Sequence, residues 1–112
     1  VLAFGVAATK PCYGHFMRPS EALLLNRDAL RELSLRHAVT NPRVFGSVVH
    51  GNDSDLSDLD LLVDHGPATT LLKLAALELE AHRLLGVPVD IKTPHDLPPS
   101  IRQQVLSEAV PL

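Results

Sequence analysis

One seven-residue stretch, Asp58-Leu59-Asp60-Leu61-Leu62-Val63-Asp64, constrains the fold more than any other part of the chain. Side chains alternate faces along a strand. Leu59, Leu61 and Val63 therefore form a clean apolar face, while Asp58, Asp60, Leu62 and Asp64 point the other way. The segment reads as a strand at 58–64 with its back on a core and two acids side by side at its start. Like charges that close either share a proton or need a cation. Paired carboxylates are hard oxygen ligands, suited to Mg²⁺ or Mn²⁺. Alone, an Asp-x-Asp is a weak signal, more often a solvated strand end or turn than a site.

The flanking sequence alternates helical and strand patterns. Leu23, Leu30, Leu33 and Ala38 make a broad apolar stripe, which predicts a helix over 20–38, with Ser20 as N-cap and Glu21 in its first turn. Asn41-Pro42 ends that pattern. Arg43-Val44-Phe45 reads as a short strand running into Gly46-Ser47 and a short helix at 47–50. Gly66-Pro67 closes the acidic strand. Thr69 or Thr70 can then cap a helix to about Leu85, with Leu71, Leu74, Leu77, Ala81 and Leu84 inward and Gly86 at its C′ position. Val87 to Thr93 is a third strand, and 100–109 a last helix carrying Ile101, Val105 and Leu106. This order predicts a single α/β (α+β) domain, with a small mixed sheet of three to four strands and helices mainly on one face.

Composition sets the outer limits. The chain has 112 residues and a formal charge of −3, and 46% of it is apolar; disorder is a poor fit to those values. There are 21 leucines and four aromatics, so the core is aliphatic. No apolar run reaches the ~18–20 residues of a bilayer span, and a cytoplasmic setting is expected. The lone Cys12 excludes an intramolecular disulfide and a four-cysteine zinc site. The charge is unevenly spread: between Val44 and Leu72 there is no Lys or Arg but five aspartates, Asp53, Asp55, Asp58, Asp60 and Asp64. That window carries −5 and the remainder +2, with no basic block of the kind that binds duplex nucleic acid. Residues 1–16 differ in composition from the rest. They read either as an extension upstream of a start at Met17 or as an ordinary N-terminal arm, leaving 17–112 as the domain.

Two further elements complete a constellation. Gly46-Ser47 sits where a strand turns into a helix; glycine admits a phosphate to the backbone, and the serine hydroxyl adds a donor. In the third strand Val87, Val89 and Ile91 face inward, leaving Asp90 opposite. If that strand neighbours 58–64, three carboxylates can converge at one end of the sheet. Strand, Gly-Ser, turn, Asp-x-Asp strand, helix and Asp strand in this order are far more specific than any part.

Gly46-Ser47, ten residues, then Asp58-Leu59-Asp60 resembles the G-S-x10-D-x-D signature of the nucleotidyltransferase superfamily that includes DNA polymerase beta. The stretch FGSVVHGNDSDLSDLDLLVD is similar to the minimal nucleotidyltransferases, and so is the closing LGVPVDIKTPHDLPPSIRQQVLSEAVPL. The resemblance covers about 17–112. It implies that Asp58 and Asp60 are the metal-binding pair, that Asp90 is a third metal ligand and candidate base, and that Gly46 and Ser47 hold the nucleotide's phosphates. It further implies ATP as substrate, Mg²⁺ or Mn²⁺ as cofactor and transfer of AMP to a hydroxyl of a protein partner, a HEPN-type toxin that such antitoxins neutralise. Two bound divalent ions would take the formal charge from −3 to +1.

There is one departure. The family usually reads G-S-x-A-R-G, whereas this chain reads Gly46-Ser47-Val48-Val49-His50-Gly51. An always-charged fork is replaced by a group that loses its charge around neutral pH. Either nucleotide binding is weaker, or another basic residue compensates, Arg43 being a candidate. The resemblance therefore leaves two readings, a metal-dependent adenylyltransferase and a weak or inactive antitoxin that binds its partner stoichiometrically. Other chemistries fit worse. In an EF-hand beginning at Asp53, Asp58 would stand where glycine is required and Asp64 where a bidentate Glu is. The six histidines show no zinc spacing, and Ser47 lacks a G-x-S-x-G setting.

Overall fold

Helix α1 (Pro19–Arg36) opens with a proline in its first turn, where the missing N–H costs no hydrogen bond. In this computed structural model, which describes residues 17–112, the proline moves the helix start upstream of the expected cap. Arg18 is the N-cap and Ser20 lies inside the first turn. The free N–H of Ser20 donates instead to Asp53 Oδ2, 2.9 Å away and 33 residues on. Glu21 lies in the first turn as expected, and its Oε1 also accepts the Arg18 N–H at 2.9 Å. The expectations for 1–16 lie outside the described residues.

The first helix is shorter than its apolar stripe suggests. It ends at Arg36, and Ala38, expected at its end, takes a φ of +62° in the turn that follows. Strand β1 (Val39–Phe45) accordingly starts four residues before the expected Arg43 and runs through Asn41-Pro42. The register shifts between Thr40 and Arg43, and Asn41 has a φ of +51°. Such a bulge lets a strand carry a proline that cannot donate to the ladder.

Helix α2 (Ser47–His50) and a turn lead to β2 (Leu59–His65), which pairs antiparallel with β1. Helix α3 (Leu71–Leu85) then crosses over to β3 (Val89–Lys92), which lies parallel to β2. Thr70, of the two candidate threonines, caps α3 by accepting the Lys73 N–H at 3.1 Å. Gly86 ends it with a φ of +74°, as its position foretells. A 3₁₀ turn (Pro94–Asp96) precedes α4 (Pro99–Glu108), and the chain closes with β4 (Val110–Pro111), an edge strand paired with β1. Strand order is β3-β2-β1-β4, a mixed four-stranded sheet. A two-residue strand containing proline carries no alternation to read, which is why β4 escapes the sequence pattern.

The main core lies between one face of the sheet and helices α1 and α3. Leu30, Leu59, Leu61, Val63, Leu77 and Ala81 in it are fully buried. Leu77, Ala81 and Leu85 form the inward stripe of α3, which turns Leu84 outward. Leu71 at the first position of the helix is 83% exposed. On the opposite face a smaller cluster of Phe45, Leu62 and Leu97 packs with Val105 and Ala109. Of the apolar residues expected to seat α4, Val105 does so, while Ile101 and Leu106 stay exposed.

Burial pushes the Asp53 carboxyl up, but the N–H and hydroxyl of Ser20 and the nearby Arg18 charge outweigh it and hold it below the usual value. A carboxylate so lowered stabilises the fold above its unfolded pKa and loses that effect as pH falls through the folded pKa. Asp53→Ala is expected to cost about 1–2 kcal/mol, the usual value of a helix cap. Urea unfolding near neutral pH checks this, and the gap from the parent should close in acid.

Candidate active site

The site is built where β1 ends and where β2 and β3 begin. Phe45, last in β1, pairs with Asp60 across the antiparallel ladder, and Asp60 stands opposite Asp90 in the parallel register of β2 and β3. Cross-strand partners share a face. Asp60 and Asp90 therefore occupy one side of the sheet, away from the main core. This is the neighbour relation that the sequence reading made conditional.

Gly46 turns the chain from β1 into α2 with a φ of +81°, a region that favours glycine. Its second role is steric: a Cβ here would overlap Asp60 Oδ2, so the carboxylate lies in the notch left by the missing side chain. The Gly46 carbonyl accepts the N–H groups of Val49 and His50, each at 3.1 Å, which closes the single turn of α2. Ser47 opens that turn and is half-buried.

Asp58 precedes β2 by one residue and is exposed, so the ladder does not hold it as it holds Asp60. The strand starts at Leu59, whose N–H donates to the Pro88 carbonyl at 2.9 Å. Burial, then the charges of Asp90 and Asp58, push the Asp60 carboxyl up to about 6, against the opposing pull of Lys92. Lys92 is absent from the sequence reading. Its Nζ lies 3.1 and 3.2 Å from the two carboxylate oxygens of Asp90. The signal was present in the i, i+2 spacing, which puts both on one face of a strand.

Other charged residues are committed elsewhere. Arg43 Nη1 donates to the Asn41 carbonyl at 2.7 Å and to Asp64 Oδ1 at 3.1 Å, so it serves the far end of β2 and not the place of the missing arginine. His50 Nε2 lies 2.9 Å from Glu108 Oε1 and ties α2 to α4. Asp53, one of the five aspartates of the acidic window, is buried against α1; Asp55 stays exposed in its turn. Phe45 is buried against Leu62 and Leu97. A cleft of about 450 Å³ lined by Leu33, Arg36, Glu80 and Arg83 lies between α1 and α3, on the other side of the sheet.

Among the described residues, no three His, Cys, Asp or Glu side chains already stand in a metal-holding arrangement. The carboxylate end nevertheless has the donor chemistry for a hard divalent ion. After burial, the charges of Asp90 and Asp58 both act on Asp60, as expected where carboxylates gather with too little positive charge.

Two outcomes are expected. Gly46→Ala should lose about 1–3 kcal/mol, because alanine is strained at this φ and displaces Asp60; denaturant unfolding checks the loss. Asp60→Asn should gain stability in metal-free buffer. With a folded pKa near 6 and an unfolded one near 4, the parent's stability falls as pH rises through that interval, and the cost is complete above it. Discounted for partial solvent screening, the gain is about 1–2 kcal/mol at neutral pH and disappears in acid. Thermal unfolding across that range measures it.

The family profile of the nucleotidyltransferase domain matches residues 26–112. The protein adenylyltransferase MntA of Thermococcus cleftensis is 40% identical over 80 residues, covering 71% of this chain and 81% of that protein. A solved structure assigned to the minimal nucleotidyltransferases superposes with a TM-score of 0.77 at 45% identity, covering 89% of this chain and all of the other. A chain from the complex of a tri-AMPylated Shewanella oneidensis HEPN toxin with an MNT antitoxin shares the fold, with a TM-score of 0.59 at 18% identity, covering 79% of this chain and 69% of that one. The Gly46 turn, the Asp60–Asp90 pairing and a profile spanning most of the chain lead to one conclusion: the chain belongs to the nucleotidyltransferase domain family, as one of its minimal nucleotidyltransferases.

Proposed function

We propose that this chain transfers AMP from ATP to a hydroxyl of a protein partner, acting as the antitoxin that silences a HEPN-type toxin. The observation that carries the reading is the register that sets Asp60 opposite Asp90, with the Gly46 backbone packed against the Asp60 carboxylate. A relative 40% identical is a protein adenylyltransferase, and a protein of the same fold accompanies an AMPylated HEPN toxin.

In this reading Asp58, Asp60 and Asp90 hold the divalent ions, Mg²⁺ or Mn²⁺. When bound, these supply positive charge for the attacking and leaving oxygens of an in-line displacement. Gly46 and Ser47 receive the phosphates at the β1–α2 turn. The acceptor hydroxyl oxygen bonds to the α-phosphorus and the bond from that phosphorus to the bridging oxygen breaks. Pyrophosphate leaves, and the hydroxyl proton passes to a carboxylate, with Asp90 as the candidate base. Fixed placement of both reactants accounts for much of the acceleration in such reactions.

One contact favours a second reading. His50 stands where the family pattern usually has arginine, and it is engaged with Glu108, not directed at the carboxylates. A weak or inactive antitoxin that acts by stoichiometric binding would have this feature. Incubation with labelled ATP, Mg²⁺ and the partner protein separates the two. The enzyme labels the partner, and Asp58→Asn or Asp60→Asn lowers labelling about 100-fold or more, as removal of a charge-stabilising group does. A stoichiometric binder gives no label, and the same substitutions leave neutralisation intact. Mg²⁺ with ATP should also raise the thermal midpoint of the parent, by linkage, and not that of Asp60→Asn.

A further inference from the structure

The acidic window holds no lysine or arginine, so fixed positive charge at the site must come from outside that window. Lys92 brings it. Its ammonium stands 3.1 and 3.2 Å from the two oxygens of Asp90, on the same face of β3, and Asp90 in turn lies opposite the half-buried Asp60 in the β2–β3 register. The nearby alternatives are occupied: Arg43 by Asp64, His50 by Glu108, and Arg102 by the carbonyls of Pro94 and Leu97. Lys92 is itself 37% exposed at the side chain, on a flexible four-carbon stem, so it can leave without disturbing the core.

We propose that Lys92 is a tethered counter-ion, a positioning residue that holds Asp90 in the metal-free protein and competes with the divalent ion for that carboxylate. The inference rests on the assignment of Asp58, Asp60 and Asp90 as metal ligands made above. Metal binding then becomes an exchange of cations: the ammonium leaves Asp90 as the ion takes its place. The protein tolerates its carboxylates before metal arrives, and metal affinity is lower than these acids alone would give.

Lys92→Met keeps the stem and removes the charge, while Lys92→Arg keeps the charge. In EDTA near neutral pH, Lys92→Met should lower the thermal midpoint by about 2–5 °C, the scale of a partly exposed ion pair in a domain of this size. Calorimetric titration with Mn²⁺ alone should then show affinity about tenfold tighter for Lys92→Met than for the parent, because no resident cation must be displaced. Lys92→Arg should resemble the parent in both measurements. An unchanged midpoint in EDTA overturns the proposal whatever the metal does. A lowered midpoint with Mn²⁺ affinity unchanged or weaker overturns the competition. If the parent binds Mn²⁺ in that case, only the role of Lys92 fails; if neither parent nor Lys92→Met binds it, the metal assignment fails as well.

Discussion

The parallel pairing of β2 with β3, in the register that sets Asp60 opposite Asp90, is the constraint on which the rest of the site depends. It places two carboxylates on one face of adjacent strands, an arrangement that electrostatics alone opposes. The face beneath makes it tolerable. Leu59, Leu61 and Val63 on the same strand are fully buried, and each such side chain contributes roughly 1.5–3 kcal/mol. That gain exceeds the repulsion, so the core dictates the register and the acids follow it. Lys92 relieves part of the remaining charge and raises no obstacle to packing, since it lies on the outer face.

A second layer of devices positions what the ladder does not. Gly46 lets the chain leave β1 in a conformation closed to most residues and brings its backbone against Asp60. Asp53 ties the turn before β2 to the start of α1, by satisfying a helix N–H that would otherwise face a buried corner. His50 and Glu108 join α2 to α4, and Phe45, Leu62 and Leu97 supply the apolar seat below that junction. The elements that carry the chemistry are thus held from both faces of the sheet.

Much of this was legible in the chain. The alternation in 58–64 identified the strand and its core face, and the Thr69-Thr70 pair and Gly86 marked the ends of α3. These features rest on near neighbours, so local chemistry specifies them. The failures share a different cause. Ser20 looked like a cap until Pro19 opened the helix ahead of it and Asp53 reached it from a distant turn. Leu71 and Leu84 fitted a helical stripe, but packing chose the neighbouring phase through Leu85. Arg43 was available for phosphate on the sequence alone, and the register of β1 against β2 placed it beside Asp64.

The sequence by itself determined the alternation of strands and helices, the acidic face of β2, the Gly-Ser turn and the family pattern they form. Each of these follows from residue type and short-range spacing. Only the tertiary structure decided that Asp90 would stand beside Asp60, that Gly46 would be pressed against its carboxylate, that Lys92 would answer the charge and that His50 would face Glu108. Those relations join segments far apart in the chain. They depend on which strand neighbours which, and burial of the aliphatic core selects that across the whole domain.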